Sequence, residues 1–174
     1  MARRALTGVL LVGGASRRFG SPKALIERDG ETLHDRGRRV LAAACDEVLV
    51  VGKAGELPFE VLDDGTEVRA PIAGVVAGLR VAAHDVAVFL PVDCPRITPD
   101  LLRLLGDSCR DAAVPQTGPL PGAWAKSALP FLERRLANGP YALYRAYSEL
   151  DVVEVEVDPA LVADVDTPGD LASL

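Results

Sequence analysis

Short apolar segments alternate with segments of helical spacing along this chain of 174 residues. The apolar segments are typical of buried strands, and several of the others begin with helix-start residues such as Thr32, Pro71 and Thr98. This alternation predicts a mostly parallel sheet with helices on both faces, a three-layer α/β/α fold. The predicted strands are 5–12, 47–51, 59–62, 85–90, 111–114 and 152–157, and the predicted helices are 32–44, 71–83, 98–108, 127–137, 141–150 and 167–174.

Composition and charge exclude several classes of protein. Apolar residues make up 49% of the chain and charged residues 25%, as in an ordinary globular domain. No apolar run reaches the roughly 18 residues of a membrane span, and no signal-peptide pattern opens the chain. We therefore expect a cytoplasmic protein with no membrane partner. Three scattered cysteines and two histidines leave little material for a disulfide framework, a His-rich metal site or a Ser-His-Asp triad.

The charge is distributed unevenly along the chain. The net charge is −6, yet residues 1–28 hold six basic residues and a single acidic one. Such an asymmetry predicts a local anion site on an otherwise acidic protein. It argues against nucleic acid as a partner, since nucleic-acid binding usually needs a basic face across the whole domain.

A glycine-rich loop with cations follows the first predicted strand, from Gly13 to Lys23 (GGASRRFGSPK). Glycines let the backbone approach phosphate oxygens, and arginine and lysine add charge-assisted hydrogen bonds. The loop matches neither the Walker A nor the G-x-G-x-x-G pattern. The alternative is a surface loop with solvated charges. Lys23 is one of only three lysines against sixteen arginines, so lysine is not the default cation of this chain.

Ligands of such sheets bind beyond the carboxyl ends of the strands, which singles out the glycine-rich loop, the loop Pro91–Pro95 and the loop near Asp63-Asp64. Carboxylates that could hold a metal ion lie in one of these loops and in a segment near the end of the sequence. Asp93 comes just after a buried strand, and Asp164 and Asp166 alternate along an extended segment, so they share one side. Oxygen ligands of this type suit Mg²⁺. Asp93 is alternatively a simple turn residue, and the helix entry at Thr167 and Pro168 accounts for part of the second segment. Asp164 has no such alternative explanation.

Residues 11–25 resemble the L-x-G-G-x-S-x-R-M-G-x-x-K-x-L signature of nucleotidyltransferases with a glycosyltransferase-A-like, Rossmann-like fold, with Phe19 in place of the usual Met. Within that superfamily the chain resembles the MobA-like NTP transferase family, the molybdenum cofactor guanylyltransferases. The resemblance implies a mostly parallel sheet with an antiparallel edge. It also implies a single domain, 1–174, with a nucleotide-binding half of about 1–108 and an acceptor-side region of about 109–160.

The resemblance also implies roles for individual residues. The stretch around Asp93 is similar to the family's P-x-D-x-P motif, whose Asp holds Mg²⁺, and 163–171 is similar to the family's terminal D-x-D-T-P-E-D-L motif. Asp64 matches the family Asp that contacts the guanosine part of GTP. The implied catalytic residues are Arg18, Lys23 and Asp93, the implied nucleotide-binding residues are Leu11, Val12, Gly13, Gly14, Lys23, Asp64 and Asp93, and the implied metal ligands are Asp93 together with Asp164 or Asp166.

The implied reaction is the Mg²⁺-dependent transfer of GMP from GTP to the phosphate of the molybdopterin (molybdenum) cofactor, with release of pyrophosphate. Relatives of this kind often carry an Asn after the second strand, whereas this chain reads Val50-Val51-Gly52-Lys53-Ala54. A cytidylyltransferase on the same cofactor and a guanylyltransferase on another phosphorylated metabolite therefore stay open. A non-catalytic nucleotide-binding module is the alternative outside this class. We expect a monomer or a weak homo-oligomer.

The region 110–150 carries the weakest resemblance. Trp124, Lys126 and Arg145 are candidates for contact with a pterin phosphate. Alternatively, the tryptophan is a core residue and the two cations are ordinary surface residues. The sequence leaves both interpretations open.

Overall fold

The computed structural model describes residues 2–13, 20–53, 55 and 57–174. Strands and helices alternate over these residues, as the sequence predicts. The strands are β1 (Thr7–Leu11), β2 (Glu27–Arg28), β3 (Glu31–Thr32), β4 (Glu47–Gly52), β5 (Leu62–Asp63), β6 (Val86–Pro91), β7 (Ala112–Pro115), β8 (Gly122–Ala125) and β9 (Val152–Val155). The α-helices are α1 (Leu33–Ala44), α2 (Pro71–Val81), α3 (Pro99–Ser108), α4 (Leu129–Asn138), α5 (Pro159–Val162) and α6 (Pro168–Ala172).

Seven of the described strands form one sheet in the order β5-β4-β1-β6-β8-β7-β9. The neighbours β5-β4, β4-β1, β1-β6 and β7-β9 are parallel, and β8 runs antiparallel to both β6 and β7. The predicted fold class, α/β with a mostly parallel sheet and an antiparallel part, is confirmed. Strand β9 lies at one margin, which agrees with the half-exposed Val and Glu alternation of its sequence.

Helices cover both faces of the sheet, which makes three layers. Successive residues of each central strand point to opposite faces, so Leu10 and Val88 pack towards α1 and α3, while Val9 and Phe89 pack towards α2 and α4. The side chains in both interfaces are almost fully buried. Within the described part of the chain, no helix combines the length and the apolar character needed to cross a membrane.

The helix starts were predicted correctly because local chemistry determines them. The side chains of Thr32 and Thr98 accept hydrogen bonds from the backbone N–H groups of Asp35 and Leu101, and Pro71 is the first residue of α2. Such caps satisfy donors that have no partner within the helix.

Other segments differ from the prediction. The third strand of the main sheet is only Leu62–Asp63. The residues before it pack against α1 instead, and the ring centroids of Phe59 and His34 stack 3.6 Å apart. The segment 143–149 is a 3₁₀ helix rather than an α-helix. The hairpin β2–β3 was not predicted, although its Asp29-Gly30 turn, with both φ angles positive, is a strong hairpin signal.

Candidate active site

Three parallel strands end side by side and bring their following segments together. The ladder continues past the strands, because the Val12 N–H donates to the Val51 carbonyl at 3.0 Å and the Val92 N–H donates to the Leu11 carbonyl at 3.0 Å. The segments that follow β1, β4 and β6 therefore share one edge of the sheet. Ligands of open α/β sheets bind at this edge.

The start of the glycine-rich loop presents backbone rather than side chains. Leu11 packs against the core on one face of the sheet and Val12 against the core on the other, whereas Gly13 is exposed. A Cβ on Gly52 would lie only 3.2 Å from the Gly13 nitrogen, so the two backbones are in close contact. Gly14 and Arg18 lie outside the described residues, and their proposed roles stay predictions.

Lys23 lies between two of the predicted metal-binding carboxylates. Its Nζ atom donates to Asp93 Oδ2 at 2.8 Å and to Asp166 Oδ1 at 3.0 Å. The side chains of Lys23 and Asp93 are 18% and 22% exposed, so solvent screens this pair only in part, whereas Asp166 is 57% exposed. Residues that are 143 positions apart in the chain thus meet at one point.

Asp164 and Asp166 lie on the same side of their segment, as the alternation predicts. Val165 between them is almost fully buried, and its N–H donates to the Asp93 carbonyl at 2.8 Å. One carboxylate oxygen each from Asp93, Asp164 and Asp166 lies within 4.8 Å of the others. Hard oxygen donors this close together fit a divalent cation such as Mg²⁺ or Mn²⁺.

The carboxylates keep Lys23 charged. Partial burial alone would lower the pKa of the Lys23 amine, but its hydrogen bonds to Asp93 and Asp166 outweigh that effect and raise the pKa above its ordinary value. Burial has the opposite consequence for the neighbouring Cys94, whose thiol pKa is raised far above its ordinary value, with the nearby Asp93 and Asp164 adding to the effect. Cys94 is therefore a neutral packing residue, not a nucleophile.

Asp170 organises the segment that carries Asp164 and Asp166, and sequence reasoning missed it. Its Oδ2 atom accepts from the N–H of Asp166 at 3.1 Å and from the N–H of Thr167 at 2.8 Å, while Thr167 Oγ1 accepts from the Asp170 N–H. This is a capping box at the start of α6, and it fixes the backbone that carries Asp166. The available signal was the Thr-x-x-Asp spacing.

Replacing Asp170 with alanine should weaken metal binding without unfolding the protein. Loss of an N-cap costs about 0.5–2 kcal/mol, and loss of a group that orients a metal ligand costs about 10–100-fold in metal affinity. Mn²⁺ titration followed by electron paramagnetic resonance (EPR) measures the second effect. The matched control is Asp158→Ala, which removes the cap of α5 and leaves Asp166 alone. Equal Mn²⁺ affinities for the two variants would contradict the positioning role.

Asp64 lies at the neighbouring strand end but is already paired. Its carboxylate is almost buried, and Oδ1 accepts from Lys53 Nζ at 2.7 Å and from the Thr66 N–H at 3.2 Å. The same amine also donates to the carbonyls of Thr66 and Val68. Lys53 thus uses all three of its donors to hold the segment before α2. No short motif in the sequence indicates this pairing. The neighbouring Asp63 is exposed.

The structure decides between the two interpretations of Trp124 and Lys126, which were contact with the acceptor or an ordinary core and surface role. Trp124 is fully buried in the core beneath α2 and α4, so it is a core residue. Lys126 donates its backbone N–H to the Asp85 carbonyl, at the amino end of β6 and hence at the edge opposite Asp93. Neither side chain reaches the site from there. Arg145 is exposed, with its guanidinium over the ring of Tyr144.

Comparison with known proteins agrees with this arrangement. The sequence profile of the MobA-like NTP transferase domain matches residues 8–153, which is most of the chain. The chain belongs to this family. It is therefore a nucleotidyltransferase, and the predicted family resemblance is confirmed. The probable molybdenum cofactor guanylyltransferase of Deinococcus radiodurans is 35% identical to this NTP transferase, over 97% of this chain and 93% of that protein.

Solved structures share the fold. The molybdopterin-guanine dinucleotide biosynthesis protein A of Archaeoglobus fulgidus superimposes with a TM-score of 0.80 at 24% identity, over 96% of this chain and 95% of that one. Rv0371c of Mycobacterium tuberculosis, solved as a complex with manganese, superimposes with a TM-score of 0.69 at 23% identity, over 97% of each chain. The second structure shows that a protein of this fold binds a divalent cation.

Proposed function

We propose that this NTP transferase moves GMP from GTP to the phosphate of the molybdopterin cofactor, with Mg²⁺ as its metal ion and pyrophosphate as the second product. The observation that carries the proposal is the convergence of Lys23 with the carboxylates of Asp93, Asp164 and Asp166 at the carboxyl edge of the parallel strands. A site that only bound a nucleotide would not need a separate set of metal carboxylates. The names of the relatives point to this acceptor and donor.

The proposed reaction is a displacement at phosphorus. An oxygen of the acceptor phosphate forms a bond to the α-phosphorus of GTP, and the bond from that phosphorus to the oxygen bridging to the β-phosphate breaks. Pyrophosphate leaves with the electron pair of the broken bond. Such reactions depend mainly on positioning and on charge stabilisation, so they need no Ser, Cys or His nucleophile.

The residues of the site have distinct proposed tasks. The backbone of Leu11, Val12, Gly13 and Gly14 contacts the nucleotide, and Arg18 and Lys23 bind the triphosphate and stabilise the charge of the departing pyrophosphate. Asp93, Asp164 and Asp166 would hold Mg²⁺, and Asp170 keeps Asp166 in place. When bound, Mg²⁺ supplies positive charge at the phosphates. Residues of about 1–108 form the nucleotide-binding half in this proposal, and those of about 109–160 the acceptor side.

The Lys53–Asp64 pair is the reason to keep a cytidylyl donor, CTP, as the second candidate. Guanine offers two adjacent donors, N1–H and N2–H₂, which a carboxylate binds best with both oxygens. Since Asp64 Oδ1 already accepts two hydrogen bonds, only Oδ2 is left for a nucleotide. A single acceptor discriminates less well between guanine and cytosine than a bidentate contact does, so CTP is the donor to compare with GTP.

Pyrophosphate release tests the proposal. The protein is incubated with Mg²⁺, molybdopterin and each of GTP, CTP, ATP and UTP in turn, and pyrophosphate is measured with a coupled enzyme. We expect release with GTP. Thermal denaturation with each NTP and Mg²⁺ gives an independent result, since a ligand that binds only the folded state raises the melting temperature.

The possible outcomes separate the candidates. Release with CTP alone would replace the guanylyl assignment with the cytidylyl one. Release with GTP only when another phosphorylated metabolite replaces molybdopterin would change the acceptor. No release with any donor, together with NTP-dependent stabilisation, would leave a nucleotide-binding module without catalysis.

A further inference from the structure

Lys23 joins two of the three carboxylates in the acidic cluster of Asp93, Asp164 and Asp166. Its amine donates to one oxygen of Asp93 and to one of Asp166, which lie on two segments far apart in the chain. A carboxylate oxygen of Asp164 lies within 4.8 Å of one oxygen each of Asp93 and Asp166. The amine thus lies among the atoms that a divalent cation would need as ligands.

Electrostatics explains why a lysine lies there. Three carboxylates with oxygens within 4.8 Å of one another repel, and Lys23 and Asp93 are less than one-quarter exposed. A positive charge at the centre offsets the repulsion and holds Asp93 and Asp166 together. A lysine amine can do this because its three N–H donors lie on one compact charge at the end of a long side chain.

The same geometry makes the lysine and a metal ion compete. A divalent cation held by Asp93 and Asp166 would compete with Lys23 for the same carboxylate groups, and its positive charge would repel the nearby ammonium group. We propose that Lys23 is a stand-in cation, which occupies the carboxylate cluster until a nucleotide triphosphate draws it away, so that metal ion and nucleotide bind cooperatively. This inference rests on the proposed function for the destination of Lys23.

The position of Lys23 in the chain supports the exchange. It begins the short 3₁₀ helix Lys23–Leu25, directly after the loop that is proposed to bind the triphosphate. Its long, unbranched side chain has the rotational freedom to move the amine from carboxylate to phosphate oxygens. Linkage then requires that the nucleotide raises the affinity for the metal ion by the same factor as the metal ion raises the affinity for the nucleotide.

Binding of Mn²⁺ alone tests the proposal without any turnover. Free Mn²⁺ is titrated by EPR against the wild type, Lys23→Gln and the matched control Lys126→Gln, which removes the same charge at the opposite edge of the sheet. We expect Lys23→Gln to bind Mn²⁺ about tenfold more tightly than the wild type, and Lys126→Gln to bind it within about twofold. Lys23→Arg, which keeps the charge, should stay close to the wild type.

Addition of GTP without an acceptor measures the coupling. GTP should increase the Mn²⁺ affinity of the wild type by about tenfold or more, and that of Lys23→Gln by a clearly smaller factor. Thermal denaturation confirms that each variant is folded. Equal or weaker Mn²⁺ binding by Lys23→Gln, relative to the wild type, would overturn the stand-in role.

The result is independent of the test of the proposed function. If Lys23→Gln fails to tighten Mn²⁺ binding while the wild type still releases pyrophosphate from GTP, the stand-in role is wrong and the function stands. If Mn²⁺ binding tightens but no NTP yields pyrophosphate, the competition is correct and the transfer reaction is wrong.

Discussion

Replacing Asp93 with asparagine is expected to lower the rate of nucleotidyl transfer by about 100-fold to 1,000-fold, more than any other single change in the site. Asparagine keeps the size of the side chain and one oxygen but removes the negative charge. Asp93 Oδ2 lies 2.8 Å from Lys23 Nζ, and the Asp93 side chain is less exposed than that of Asp166, the other partner of Lys23. The variant should therefore lose metal affinity and the order of the whole cluster at once.

Pyrophosphate release and Mn²⁺ titration check this result together. The matched control is Asp100→Asn, an exposed aspartate in the first turn of α3 that should keep both properties. Melting temperatures establish that both variants are folded. Turnover by Asp93→Asn within about fivefold of the wild type would mean that Asp93 does not hold the catalytic metal ion.

Replacing Trp124 with alanine is expected to reduce the free energy of unfolding by about 3–5 kcal/mol, a large part of the stability of a typical domain. The indole is fully buried in the core beneath α2 and α4, and its ring centroid lies 6.3 Å from that of Tyr147. Removal leaves a cavity that neighbouring side chains fill only in part. Urea denaturation measures the effect, and Tyr144→Ala, at an exposed tyrosine, should change stability by less than about 0.5 kcal/mol.

Trp124→Phe separates packing from substrate contact. Phenylalanine retains most of the buried area, so the variant should fold and transfer the nucleotide with an unchanged KM for the acceptor. Trp124 pairs with Ala87 in the sheet, well before the end of β6 that carries Asp93. A raised KM in a fully folded variant would show that the indole contacts the acceptor after all.

Sequence predicted those parts of the site that local chemistry determines. The capping residues Thr32 and Thr98 accept the expected hydrogen bonds. Period-two alternation correctly placed Asp164 and Asp166 on one side of a segment, because the residue between them is buried. The rule that ligands bind beyond the carboxyl ends of strands correctly brought Asp93 to the same edge as the glycine-rich loop.

Contacts between distant segments could not be predicted in this way. The pairing of Lys23 with Asp166 joins residues 143 positions apart, and no local pattern specifies it. The ion pair of Lys53 with Asp64 depends on the parallel register of β4 and β5, which no short motif of the sequence specifies. The pairing of Asp170 with Asp166 and Thr167 is different, since its capping-box spacing was present and was simply not used.

The reversed direction of β8 has a consequence for how substrate preference can change. Since β8 runs antiparallel to β6, the connection before it, 116–121, returns to the edge where Asp93 lies, while the residues after it leave that edge. An insertion or exchange in this connection can reshape the proposed acceptor side while β4, β1 and β6 keep their register. Under the proposed function, evolution and protein engineering can thus vary the acceptor and the nucleotide separately, within a single sheet.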